Sequence, residues 1–341
     1  MPSEIPRRPI PLLALAILIG IAGCTSEESP TAPSNAASPF VAATGTYHAV
    51  DLGTLPGGPV SSAIAINNGG LIVGLSVTAS GHEHAVLWKN RAIRDLGTLG
   101  GKSSRALALN NFGQIVGSSE RADGKVYAFR WSDGVMTDLG TPGGSGSAAY
   151  GIDREGRVLV GGADGSVGIW ANGVITRLPL PADSPGCTPT GMNPAGRAVG
   201  LCLVRQNLRG VLWRPSGIVG LGSLGGFPTS PTAINASGHV VGITRGTPDL
   251  GSRPFLWYLG SMIDLSAQGA PRGLIPNAIN VDGAIVGVVG SGGAIHAILF
   301  QQGTTIDLGA LLPGVDSYAF GINSTGDVVG HSGTATLWTR Q

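Results

Sequence analysis

Seven residues at one recurring position carry much of the chemistry this chain can offer: His84, Tyr127, Ser166, Arg209, Arg253, His296 and Thr334. Each lies four residues before an aromatic landmark, and the set is variable, polar and often large. Arg105 and Tyr318 join them near the starts of expected inner strands. Such side chains recognise ligands by hydrogen bonding, charge and ring contact, and ligand specificity usually sits on loops at the end of a rigid scaffold. The expected ligand-binding set is therefore His84, Arg105, Tyr127, Arg209, Arg253, His296 and Tyr318.

Catalytic signatures are missing from the sequence. It contains no HExxH, GxSxG, Walker loop or CxxC, and no sialidase Asp-box. The close carboxylates Asp153 and Glu155 belong to a turn. No cofactor or metal is expected: the recurring Asn/Asp-x-x-Gly turns lack the alternating carboxylates of a calcium loop. A site assembled from scattered residues needs no linear motif, so a polysaccharide-active hydrolase or lyase is the alternative to a binding module.

Three landmarks set the period of the elements that must position these residues. Asn/Asp-x-x-Gly turns begin at Asn67, Asn110, Asp153, Asn193, Asn235, Asn280 and Asn323. Trp88, Trp131, Trp170, Trp213, Trp257, Phe300 and Trp338 form the aromatic landmark and include all 6 Trp of the chain. Asp-Leu-Gly, or its remnant, starts at Asp51, Asp95, Asp138, Arg177, Gly220, Asp264 and Asp307. Each period holds four short strands in a meander, the size of a propeller blade. With 57 Gly in 341 residues and only 12% charged residues, the composition fits short strands and tight turns.

Only Thr339, Arg340 and Gln341 follow Trp338, so the seventh repeat lacks its fourth strand, while Tyr47 to Gly53 precede the first full unit. Closing the ring with that N-terminal piece removes two unpaired edges. The expected fold is all-β: a seven-bladed β-propeller of four-stranded antiparallel blades over residues 44–341, with the N-terminal strand completing the last blade. First strands line the axis. The linkers and the loops between second and third strands share one face, and the Asn-x-x-Gly turns lie on the other.

Cys187 falls in a column with Ser61, Ser104, Ser147, Thr229, Leu274 and Ser317. Cys202 falls in a column with Ser76, Ser119, Ala163, Thr244, Val289 and Ser332. The two columns tend to change together, as facing positions on adjacent strands would. A Cys187–Cys202 disulfide is expected, in an oxidising compartment.

Met1 to Gly23 read as a secretory signal, with Arg7 and Arg8 before an apolar core at Pro11 to Ile21. Ile21-Ala22-Gly23-Cys24 resembles the lipobox of bacterial lipoproteins. That resemblance implies lipidation of Cys24, and Thr25 after it implies outer-membrane sorting. Residues 24–43 are the expected linker, rich in Ser, Pro and Ala. Without residues 1–23 the chain carries nineteen basic and nineteen acidic residues. That balance argues against nucleic acid as partner and leaves the membrane to the lipid anchor alone.

The pattern DLGTLGG, then S-x-A-x-x-IN-x-x-G-x-IVG, then H/Y-A-x-x-W resembles the HAF repeat of probable extracellular bacterial proteins. It spans about residues 47–338, best at Asp51–Trp88 and Asp95–Trp131 and weakest at Arg177–Pro189. The resemblance implies repeat architecture and an extracellular or envelope location, and brings no catalytic motif. The combined expectation is a monomeric, lipid-anchored binding or scaffolding module for a glycan or protein at the cell envelope.

Overall fold

Small residues, β-branched residues and glycine turns leave the chain little alternative to short strands. The computed structural model describes residues 46–225, 228–245 and 251–340. The signal segment 1–23, Cys24 and the linker lie outside the described residues. Seven four-stranded antiparallel sheets form a ring, six of them simple meanders from inner to outer strand and the seventh completed from the N-terminal end. Blade 2 is representative, with Gly100–Leu109, Ile115–Arg121, Val126–Ser132 and Val135–Gly140 in spatial order. Inner strands of consecutive blades touch all the way round, blade 7 to blade 1 included.

The closure combines the two ends of the chain. Tyr47–Asp51 pairs antiparallel with Thr334–Arg340 and becomes the outer strand of blade 7, with Tyr47 opposite Arg340 and Asp51 opposite Thr336. Leu52 N–H then donates to Ala335 O at 2.9 Å. The corresponding bond recurs at Leu96, Leu178, Leu221, Leu265 and Leu308.

The core is not central but divided among the blade junctions. Seven clusters of buried side chains each join two neighbouring blades. One places Val73 and Ala85 of blade 1 against Ile115, Phe129 and Trp131 of blade 2. Another places Leu52 and Val329 of blade 7 against Ile72 and Trp88 of blade 1. The aromatic landmark is thus the bulky element of the junctions, filling space that a chain with few aromatic residues fills no other way.

Every inner strand carries a β-bulge at the same place, between Ala63 and Ala65 in blade 1 and between Ala319 and Gly321 in blade 7, and blade 2 has a second irregularity between Gly100 and Ser104. The bulge turns a carbonyl toward the facing Gly of the Ile-Val-Gly run. A Cβ on Gly74, Gly117 or Gly330 would collide with that oxygen. Blade 3 departs from the rule, with Val160 where the others have Gly. Its register therefore sets Gly162, rather than Ala163, opposite Ser147. Counting from the Gly would put Ala163 there, but the pairing follows the strand.

The serine columns clasp the linkers. Ser104 Oγ donates to Gly97 O and accepts the N–H of Ala85 from the preceding blade, while Ser119 Oγ accepts the N–H of Leu99. The same triple recurs around Ser61 and Ser76. In blade 4 the corresponding pair is a disulfide, Cys187 opposite Cys202 with Cα atoms 4.0 Å apart. Both cysteines belong to the core cluster between blades 3 and 4.

Candidate functional site

The column four residues before the aromatic lies at the loop-face end of the third strands, one strand in from the rim. In four blades its side chain meets the Asp of Asp-Leu-Gly on the outer strand of the same blade. His84 Nδ1 is 2.8 Å from Asp95, and His296 Nδ1 is 2.9 Å from Asp307. Arg253 pairs with Asp264, and Thr334 Oγ1 donates to Asp51 at 2.7 Å. Each Asp also caps its own turn, as where Asp95 Oδ1 accepts the Gly97 N–H. One carboxylate thus holds both the linker and the candidate recognition residue.

Blade 2 reaches the same arrangement through an intermediary. Arg121 pairs with Asp138 and lies over the Tyr127 ring, 3.3 Å from its centroid. Burial works against ionisation of Asp138, but the Arg121 guanidinium and the Gly140 N–H hold it below the usual carboxylate range. In blade 3, Ser166 bonds Asp164 and its hydroxyl and N–H lower that carboxylate. Blade 4 has Gly220 where the Asp would be, and Arg209 is exposed.

Arg105 and Tyr318 sit on inner strands, as their positions require. Arg105 forms an ion pair with Glu83 of blade 1. Tyr318 stacks on Phe320 at 6.2 Å and lies beside His331, with its hydroxyl raised above the usual range by burial and by Asp316. The expected residues therefore share one face but not one pocket: five follow the blades around the ring and two lie nearer the axis. Among the described residues the loops between second and third strands are tight. Arg205 and Gln206 close blade 4 and Gly292 and Gly293 close blade 6, all with positive φ. Residues 246–250, in the corresponding segment of blade 5, lie outside the described residues.

The Asn turns have a structural role larger than expected. The Asn Oδ1 accepts two turn N–H groups at Asn67, Asn110, Asn193, Asn280 and Asn323, as Asn67 does from Gly69 and Leu71, and Asn235 accepts the His239 N–H. The amide nitrogen then donates across to the next blade: Asn67 to Asn110 O, Asn110 to Asp153 O, Asn193 to Asn235 O, Asn235 to Asn280 O, Asn280 to Asn323 O and Asn323 to Asn67 O. Asp153 has no amide to donate, and that junction is crossed instead by the Arg154 N–H to Pro194 O bond. Its buried carboxylate is held by Arg157 at 2.6 Å. The choice of Asn over Asp at six of seven turns was the available signal, since only Asn carries both donor and acceptor.

His239 sits within this ring. It is 5% exposed, and its Nδ1 lies 3.1 Å from the Asn235 amide nitrogen, so Nδ1 is the acceptor and the ring is neutral. Burial lowers its pKa below 6.5. A His depressed in the folded state stabilises the fold above its unfolded pKa and loses that contribution as pH falls. The melting temperature should accordingly decline as pH drops below about 6.5, and His239→Gln should flatten the decline. A His239→Gln chain with the wild-type pH slope would reject this assignment.

Among the described residues no group of three His, Cys, Asp or Glu is placed to hold a metal ion. Two cavities open on the turn face, at blade junctions. One of about 220 Å³ lies between blades 3 and 4 beside Asp153, Arg157 and Trp213, and one of about 510 Å³ between blades 1 and 2 beside Lys89, Arg94 and Trp131. No helix among the described residues is long and apolar enough to cross a membrane.

The sequence matches no protein-family model and no curated protein. Its fold is similar to a streptogramin B lyase, at TM-score 0.57 and 15% identity, covering 86% of this chain and 98% of that one. It is also similar to YCF48 bound to D1 peptide, at TM-score 0.54 and 14% identity, covering 89% and 98%. A puromycin-hydrolyzing peptidase from Mycobacterium tuberculosis matches at TM-score 0.55 and 13% identity, over 81% of this chain and 49% of that one. At these identities the likeness is one of fold, and it joins lyase, peptidase and peptide-binding proteins on a single scaffold.

Proposed function

We propose that this propeller is a non-catalytic binding or scaffolding module that takes a glycan or a protein on its loop face. One observation carries the reading: the polar column there is held by carboxylates of the fold itself, at His84, Arg253, His296 and Thr334. Side chains fixed before contact lose little freedom on binding, which favours recognition. Asp pairing at Nδ1 leaves Nε2 of His84 and His296 for a ligand, and Arg209 contributes an exposed guanidinium. The fold neighbour solved with a bound peptide is compatible with such use of the scaffold.

A glycan array and an envelope-extract pull-down with residues 40–341 test the site. The wild-type domain should retain a partner that the Arg209→Ala, Arg253→Ala, His296→Ala variant loses. Equal retention would remove the site, and shortening of a retained glycan would favour the polysaccharide hydrolase or lyase instead.

The disulfide fits an oxidising compartment. With the lipobox-like Cys24, it supports a lipid-anchored protein of the cell envelope, on the outer membrane. Cys24→Ser should release the chain from membranes washed at high salt. Its persistence in the washed membrane fraction would exclude the anchor.

A further inference from the structure

Most of the loop-face column is paired with carboxylates; the cations on the turn face of blade 1 are not. Three cations, Lys89, Arg91 and Arg94, lie on or beside the single turn that joins Glu83–Lys89 to Ala92–Asp95. None belongs to an ion pair of the described residues, whereas Arg105, Arg121, Arg205 and Arg253 all do. Arg94 lies over Trp131 at 5.1 Å, a contact that positions the guanidinium without neutralising it. The acidic group on the adjoining hairpin is Asp133, bonded by Ser132 Oγ. Lys89 and Arg94 border the cavity of about 510 Å³ that runs to Gly113 of blade 2.

Beside Gly113 stands Phe112, 74% exposed. It is not on a loose loop: its N–H donates to Asn110 Oδ1 at 3.0 Å, and neighbouring Asn111 accepts the Asn68 N–H at 3.1 Å. A rigid turn thus displays a phenyl ring beside a cavity bordered by unpaired cations. Apolar groups projecting among basic ones are the signature of a surface that lies in the membrane interface.

The path of the chain points the same way. Tyr47 lies opposite Arg340, at the turn-face end of the third strand of blade 7, so the first described strand begins on this face.

We infer that the turn face of blades 1 and 2 docks on an anionic phospholipid bilayer, with a headgroup phosphate between Lys89 and Arg94 and Phe112 entering the acyl boundary. This site is separate from the loop-face column and independent of what that column binds.

Co-sedimentation of residues 40–341 with vesicles tests it, since the ring is complete within that span. The domain should bind phosphatidylcholine vesicles containing phosphatidylglycerol, leave pure phosphatidylcholine unbound, and be released by salt. Each interfacial cation contributes about 1 kcal/mol at an anionic surface, so Lys89→Ala, Arg91→Ala, Arg94→Ala should weaken binding about a hundredfold. Because Arg94 packs on Trp131, the double variant Lys89→Ala, Arg91→Ala guards against a folding effect and should still lose about tenfold or more. Phe112→Ala should weaken binding several-fold at unchanged melting temperature. The loop-face triple variant should bind vesicles as the wild type does. Absence of vesicle binding, equal binding to neutral vesicles, wild-type binding by the double variant, or loss of binding in the loop-face variant would each overturn the inference. So would retention on a sulfated polysaccharide in place of vesicles, which would assign the arc to an acidic glycan.

Discussion

A chain lacking residues 47–53 should lose ~5 kcal/mol or more, a large share of the stability of an ordinary domain. Three losses coincide. The outer strand of blade 7 disappears, leaving the edge of Thr334–Arg340 unpaired. Leu52 leaves the junction core of blades 7 and 1, a change of ~2–5 kcal/mol for a buried leucine. Ser61 loses the Gly53 carbonyl it clasps. Because the core is distributed over seven junctions, opening one leaves two blades with an exposed apolar face, and the damage spreads by loss of mutual support. Thermal melting followed by circular dichroism should show a large downward shift. A permuted chain in which Tyr47–Gly53 follows Arg340 through a two-residue turn should recover it, since it recreates the hairpin every other blade has. An unchanged transition in the deletion would refute closure through the termini.

Removing the disulfide is the second large effect. Cys187 and Cys202 are 15 residues apart, and a crosslink closing a loop of that size stabilises by ~3 kcal/mol. Cys187→Ala with Cys202→Ala should lower stability by about that amount. The double serine variant should cost less, because Ser opposite Ser is what blades 1 and 2 carry at these positions, where the hydroxyls accept N–H groups of the linker and the preceding blade. Denaturant titrations of the three chains decide it; an alanine pair as stable as the wild type would mean the bond contributes nothing to the native state.

The loop face was legible as a position but not as a set of contacts. The spacing of His84, Arg253 and His296 before the aromatic placed them on one face, because a strand repeat converts sequence offset into spatial offset. Their partners were equally visible, as the Asp of Asp-Leu-Gly recurs eleven residues after each of the three. What hid the pairing is that a fourth-strand residue meets a third-strand residue only through the hairpin register, and one residue of slip would turn the Asp to the other side. Blade 3 shows how easily a register is missed, here between its first and second strands, where the extra Gly of Val160-Gly161-Gly162 suggests the wrong partner for Ser147.

The number of blades, the four strands in each, the terminal closure and the Cys187–Cys202 pairing were determined by sequence alone. Each rests on local periodicity repeated seven times, so chance matches cancel and real ones accumulate. The tertiary structure decided what spans the junctions: the Asn ring and its interruption at Asp153, the carboxylates that hold the polar column, and the concavities of the turn face. The Asn ring joins blades about forty-three residues apart, and the carboxylates reach across neighbouring strands of one blade, in both cases by side-chain reach across a gap. The sequence of a single repeat records who is present at such a gap, while the ring geometry sets who is near enough to touch.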